Sequence, residues 1–414
     1  MSRVVDFSGA LRVADNPLWA HTQDAQSIVI VEPPRASGLM GVPNKSKARF
    51  AFELRLAEHF VARHPEVALC IGLRAETLRE ALVRAGAQTL VCTQPLAFDE
   101  AALLQALRNH YKVQALPSNH LFQKPFNPKS LKSFSKFKNS QKRDADEPFE
   151  SGSVPNAQTE EDHARPSALY GLGYCEGSCD QDWQRYRDHH MAAYKQTRNG
   201  LLGRDFSSKL SVSLAHGLLG VRRVWADIEE CQRAHGVDAG NDWLKVEILW
   251  REYFAHYGRI MGARLYGLRQ IEAQNTLHWQ AWTLGKTGVP LIDAAAQELM
   301  QSGYQSNRIR QNYASYAIHE LGLDWRAVAT HFEAHLFDYD PHSNWGNCAY
   351  IAGVNRGSAK HFDVIWQAKH YDPEGAYIRH WLGDFKNHTP WEQGESKPIV
   401  SPMTQDQFNA TGLV

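Results

Sequence analysis

Polar side chains that recur on one face of an otherwise apolar helix are the clearest chemical signal in this chain. In residues 243–258 (WLKVEILWREYFAHYG), Glu247, Trp250, Arg251 and Phe254 fall at i, i+3, i+4 and i+7, a spacing that places them on one helical face. A carboxylate, an indole and a guanidinium together on an otherwise apolar helix are costly to bury without a purpose. The same trio also fits an ion pair snorkelling at a domain edge. Asn307, Arg310 and Gln311 share a face further on, so two amides and a guanidinium point at something polar. In residues 337–355 (FDYDPHSNWGNCAYIAGVN), Asp338, Asp340 and Asn344 lie within seven positions. That loop lacks the glutamate and ligand rhythm of a calcium site, and it suits hydrogen bonding to a heteroaromatic ligand. Residues 193–217 (AYKQTRNGLLGRDFSSKLSVSLAHG) cluster Ser207, Ser208 and Ser211 at the start of an apolar helix. They read either as a plain helix cap or as a phosphate cradle backed by Lys209 and Arg198.

Other chemistries fail on spacing. The Gly-Lys-Thr-Gly at 285–288 is not part of Gly-x-x-x-x-Gly-Lys-Ser/Thr, and no strand-like run precedes it. Six cysteines are scattered along the chain; Cys175 and Cys179 stand one helical turn apart without further ligands, so no metal is expected and a reducing compartment fits. Lysine plus arginine equals aspartate plus glutamate at 45 each, which confines any nucleic-acid contact to a local basic patch. No apolar run reaches the roughly 18 residues of a membrane span, and no apolar signal core opens the sequence. The expectation is a cytoplasmic protein without a membrane partner.

Two kinds of element must position these residues. Residues 1–122 alternate β-rich apolar runs (4–7, 27–31, 67–72, 89–93 and 113–116) with helix-like stretches at 45–63, 76–85 and 100–109, an order that predicts an α/β domain with a parallel sheet. No Gly-x-Gly-x-x-Gly follows a strand. Residues 123–185 pass from basic Lys/Ser/Phe (KPFNPKSLKSFSKFKNSQKR) to acidic and polar (DADEPFESGSVPNAQTEEDH) and read as a solvated interdomain linker. Residues 186–391 are aromatic-rich with helical periodicity at 243–257, 292–300, 307–321 and 325–336, which predicts an all-α domain. Residues 392–414 read as a tail.

In this order and spacing the four motifs, together with YDPEGAYIRHWL at 371–382, resemble the FAD domain of the photolyase and cryptochrome family over about residues 186–391. LRVADNP at 11–17 resembles the family's antenna domain more loosely. Gln311, Tyr350, SNRIRQNYAS (306–315) and AYKQTRNG (193–200) make DASH-type members the nearest subgroup.

The resemblance implies FAD as cofactor. It puts Tyr194, Ser207, Ser208, Lys209, Leu210 and Ser211 around the phosphates, pairs Asp338 with Arg310 beneath the flavin, and sets Asp340 near the sugar and adenine. Asn344 would face the flavin N5 as an amide acceptor. It implies a lyase that splits cyclobutane pyrimidine dimers with blue light, with Glu247, Asn307 and Asn344 as its catalytic residues. The partner would be UV-damaged DNA, single-stranded or with the dimer flipped out, contacted by Glu247, Trp250, Arg251, Asn307, Gln311 and Tyr350. Asn307 and Gln311 stand where 6-4 photolyases carry two histidines. The protein would act as a monomer, with an antenna chromophore unassigned or absent. Of the family's tryptophan relay Trp325 remains, while Cys348 and Glu272 replace the proximal and distal members; Trp279, Trp345 or Tyr350 could bypass the gap. The rival reading is a blue-light photoreceptor that binds nucleic acid without repairing it.

Overall fold

The computed structural model describes residues 2–35, 42–95, 97–122, 130–141, 176–266, 276–354 and 358–383. Five strands, β1 (Arg3–Asp6), β2 (Ala25–Val31), β3 (Val67–Ile71), β4 (Thr89–Thr93) and β5 (Lys112–Leu116), form one parallel sheet in the order β3-β2-β1-β4-β5. Val4 lies opposite both Gln26 and Leu90 in register. The last five residues of β2 are all buried, the unbroken apolar run that a parallel strand needs when helices cover both faces. Helix α1 (Lys47–Arg63) presses Phe52, Leu56 and Phe60 onto one face beside Phe7. Helices α2 (Arg74–Arg84) and α3 (Phe98–Leu107) bring Leu78, Leu82, Leu104 and Leu107 to the other, against Val4, Ile28 and Leu90. The parallel α/β half expected from the sequence is present.

The stretch expected as a solvated linker holds, among its described residues, helix α4 (Phe134–Gln141) and the greater part of α5 (Glu176–His189). Phe137 is fully buried, so this stretch packs where a solvated connector would not. Phe134 and Phe137, spaced i, i+3 among lysines and serines, give the helix one apolar edge. Residues 142–175, with Cys175, lie outside the described residues, as do 384–414.

The second half is helical: α6 (Tyr194–Thr197), α7 (Leu210–Ala215), α8 (Val221–His235), α9 (Ala239–Met261), α10 (Thr276–Thr283), α11 (Pro290–Ser302), α12 (Asn307–Ser315), α13 (Trp325–His335), α14 (Pro341–Ile351), α15 (Val364–Tyr371) and α16 (Ala376–Leu382). The helix expected over 307–321 ends its α turns at Ser315 and widens into a π turn at Tyr316–Glu320. Helices α9 and α14 lie close because both lack a side chain at their crossing: a Cβ on Gly346 would come within 2.4 Å of Phe254, and one on Gly258 within 2.1 Å of His342. Among the described residues no helix is long and apolar enough to cross a membrane.

Buried arginines fasten the two halves together. Arg12 donates to Ser118 O (2.8 Å), Asn119 Oδ1 (3.2 Å) and, across the divide, Gly217 O (3.0 Å). Arg222 of α8 pairs with Asp15 at 2.7 Å and donates to Pro117 O. With charges this well buried, fixed geometry and the added hydrogen bonds to backbone carbonyls offset part of the desolvation cost.

Candidate functional site

Helices α12, α13 and α14 surround a cleft that is open to solvent. Each helix starts where its sequence dictates. Ser306 caps α12 through its Oγ and the Ile309 N–H (3.3 Å), which sets Asn307, Arg310 and Gln311 along the cleft. Asp340 caps α14 by accepting the Ser343 N–H at 2.8 Å, with Pro341 in the first turn. That start brings Asn344, Asn347 and Cys348 to the opposite wall, while Phe332 and Leu336 supply an apolar wall.

The polar groups are held in defined orientations. Arg310 donates to Asp338 Oδ2 (2.7 Å) and Gln305 O (2.9 Å). Burial opposes its charge most strongly, but Asp338, Tyr304 and Glu298 together outweigh burial and hold the guanidinium above its usual pKa. Asp338 Oδ1 is buried without a hydrogen-bond partner among the described residues. Asn344 donates from Nδ2 to Ala329 O (2.9 Å) and Asn347 from its own to Ser343 O (2.7 Å), which anchors both amides in the cleft wall. Gln311 Oε1 accepts from Arg308 (3.0 Å), which leaves its NH2 as the available donor. Asn307 is exposed at the mouth. Asn347 was not singled out in the sequence, although its i+3 spacing from Asn344 was the available signal.

The serine-rich segment differs from its expectation. Helix α7 begins at Leu210, and its cap position is Lys209 in the left-handed conformation (φ 53°), with no side-chain cap bond. Neither Ser207 nor Ser208 caps it; the Ser207 hydroxyl instead shares a hydrogen bond with Tyr304, and Ser211 is exposed. The Lys209 ammonium sits 3.7 Å from the Phe206 ring centroid and 4.5 Å from that of Tyr304, and burial lowers its pKa to about 7. Arg310 lies over the same Tyr304 ring at 5.4 Å, so the serine segment and the cleft are neighbours. Tyr194 is buried nearby, and burial raises its phenol well above the ordinary pKa.

On α9, Glu247 accepts from Arg198 and from the Trp243 indole, both at 3.0 Å; burial raises its pKa against those two partners. Trp250 is 6.3 Å from Tyr350 at 61° and lies flat against Phe134 of α4, 3.6 Å away at 7°. Arg251 turns inward: it donates to Asn119 O (2.8 Å) and lies 3.5 Å from Asp340 Oδ2, so its guanidinium is engaged within the protein. Glu247, Trp250, Arg251 and Tyr350 therefore stand beside the cleft without lining it.

The aromatic residues separate into clusters. Trp345 is 6.0 Å from Trp325 and 5.5 Å from Tyr266, whereas Trp279 packs on Trp282 and His331. Cys348 lines the cleft as a buried thiol whose pKa burial pushes up to about 12. Glu272 lies outside the described residues. Among those described, no group of three His, Cys, Asp or Glu could hold a metal.

Comparison with known proteins points one way. The profile described as the FAD binding domain of DNA photolyase matches residues 243–408. Cryptochrome DASH of Gloeobacter violaceus is 40% identical over 232 residues, 53% of this chain and 45% of that protein. Its namesake in Xenopus laevis is 36% identical over 264 residues, 59% of this chain and 50% of that one. The aligned stretch spans about half the length of these relatives. The crystal structure of a Synechocystis cryptochrome superposes with a TM-score of 0.83 at 25% identity, covering 100% of this chain and 94% of that chain.

Proposed function

Because this chain carries the FAD-binding domain of the photolyase and cryptochrome family, we propose that it is a DNA photolyase that splits cyclobutane pyrimidine dimers under blue light. The cleft's own residues fit the cofactor. Asp338 Oδ1 is a buried acceptor lacking a donor, Arg310 is a fixed cation, and Asn344 and Asn347 line the cleft together with apolar Phe332 and Leu336. A flat heteroaromatic ring with polar tails satisfies such a set. When bound, reduced FAD supplies the light-driven electron that opens the dimer.

The remaining roles fall to the chain. Asp338, Arg310 and Asp340 hold the cofactor, with Tyr194, Lys209, Leu210 and the serines 207, 208 and 211 on its phosphate side; an anion beside Lys209 would raise that ammonium's lowered pKa. The observation that carries the proposal is Asn344: its Nδ2 is anchored on Ala329 O in the cleft wall, which leaves the amide oxygen to accept from a ring protonated at N5. Trp250 and Tyr350 receive the bases, Asn307 and Gln311 meet their edges, and Glu247 steadies the negative charge the dimer acquires. Arg251 supports Asp340. Incubating the reduced protein with a dimer-containing oligonucleotide under blue light should restore thymines; no turnover on either single or double strands overturns the proposal.

A photoreceptor that binds nucleic acid without repair is the second reading, favoured by the engagement of Glu247 with Arg198 and Trp243. A light-dependent change in nucleic-acid binding with lesions left intact would establish it.

A further inference from the structure

We infer that Phe134 is a positioning residue for the nucleic-acid site: helix α4 sets the plane of the Trp250 indole and is a built part of the stacking platform. The inference rests on the reading of Trp250 as a stacking partner for bases. Its basis is the contact itself, with ring centroids 3.6 Å apart and planes within 7°, the flattest aromatic pair on α9. One face of the indole is thereby filled from within, and rotation about the Trp250 side chain would break that stack.

Helix α4 is fastened on both sides of Phe134. Leu131 before it is buried, and its carbonyl accepts from the Tyr253 hydroxyl at 3.3 Å. Phe137 after it is fully buried, 5.7 Å from Tyr253 and 6.4 Å from His256. Lifting Phe134 away would expose both apolar anchors to water, so α4 behaves as a wall and not as a lid. Since Tyr253 is also edge-on to Phe134 and to Trp250, the three rings form one packed unit. An indole so fixed presents a base with a prepared surface, and less side-chain freedom is lost on binding.

The test is binding of a single-stranded oligonucleotide carrying one thymine dimer, followed by fluorescence anisotropy in the dark with the full-length protein. Phe134→Ala should weaken binding about three- to tenfold, the range of one aromatic pair. Phe134→Tyr should restore affinity to within about twofold, whereas Phe134→Leu, which keeps apolar volume and fold, should stay weak because it cannot stack. Unchanged or tighter binding by both Phe134→Ala and Phe134→Leu overturns the inference, tighter binding identifying α4 as a displaceable cover. Trp250→Ala separates the two levels. If it too leaves affinity unchanged, the stacking role of Trp250 has failed; if it weakens binding while the Phe134 variants do not, only the positioning role has failed.

Discussion

The sheet half and the helical half each bury an aspartate at the heart of a polar cluster, and they treat it differently. Asp6, at the end of β1 where the sheet order switches, is saturated: Ser8 donates from its backbone N–H (2.9 Å) and its hydroxyl (2.6 Å), and Arg74 pairs with the other oxygen at 2.7 Å. Arg74 in turn reaches Glu100. Asp338 has its arginine, but its second oxygen has no partner. The crevice beside a switch point is where open α/β sheets usually bind ligands; here Asp6, Arg74 and Glu100 pair with one another beside it. A saturated cluster stabilises the fold, while a half-satisfied one is poised for a ligand.

The largest expected effect breaks that contrast directly. Asp338→Asn should reduce FAD affinity by about 3–5 kcal/mol, the cost of leaving a buried arginine without its counter-charge, measured by flavin retention on dialysis. Asp6→Asn should take a similar amount from unfolding stability by denaturant titration while the folded protein still holds flavin stoichiometrically. If Asp6→Asn strips flavin as well, the two clusters are not separable.

A second, smaller effect concerns acid. Burial lowers the pKa values of His120 and His331 well below the usual range and that of His342 to about 4. Each binds a proton more readily when unfolded, so their contribution is full above about pH 6.5 and is lost as pH falls toward 4, by up to a few kcal/mol in all. His331 and His342 lie on α13 and α14, so far- and near-UV circular dichroism should show the helical half loosening first. Equal stability at pH 7 and pH 4.5 would refute the effect.

The smallest is local. Cys348→Trp should quicken flavin photoreduction by placing an aromatic ring between the cleft and the Trp345–Trp325 pair, at a stability cost of about 1–3 kcal/mol from overpacking. Equal photoreduction rates in the two proteins would remove Cys348 as the cause of a slow step.

The sheet was legible because its central strands are buried on both faces, so Ile28 to Val31 could hardly be read otherwise. The polar faces of α12 and α14 were legible from their spacing. What escaped was set by partners distant in sequence. Arg251 looked available for DNA until Asn119, 132 positions away, supplied its acceptor. Helix α4 was hidden by lysines and serines, since composition averages over a segment while packing needs only Phe134 and Phe137 on one edge. The left-handed Lys209 displaced the serine cap, a backbone choice that residue type does not announce.

The Arg12 knot also bears on how the chain is made. Its partners at Ser118 and Asn119 are 106 and 107 positions downstream, and Gly217 is 205. At about 5–20 residues per second, on the order of 10–40 seconds separate the synthesis of Arg12 from that of its last acceptor. During that interval the nascent sheet half carries a guanidinium whose bonding is incomplete. The helical half then assembles against a surface already waiting for it, so order of synthesis and order of docking coincide.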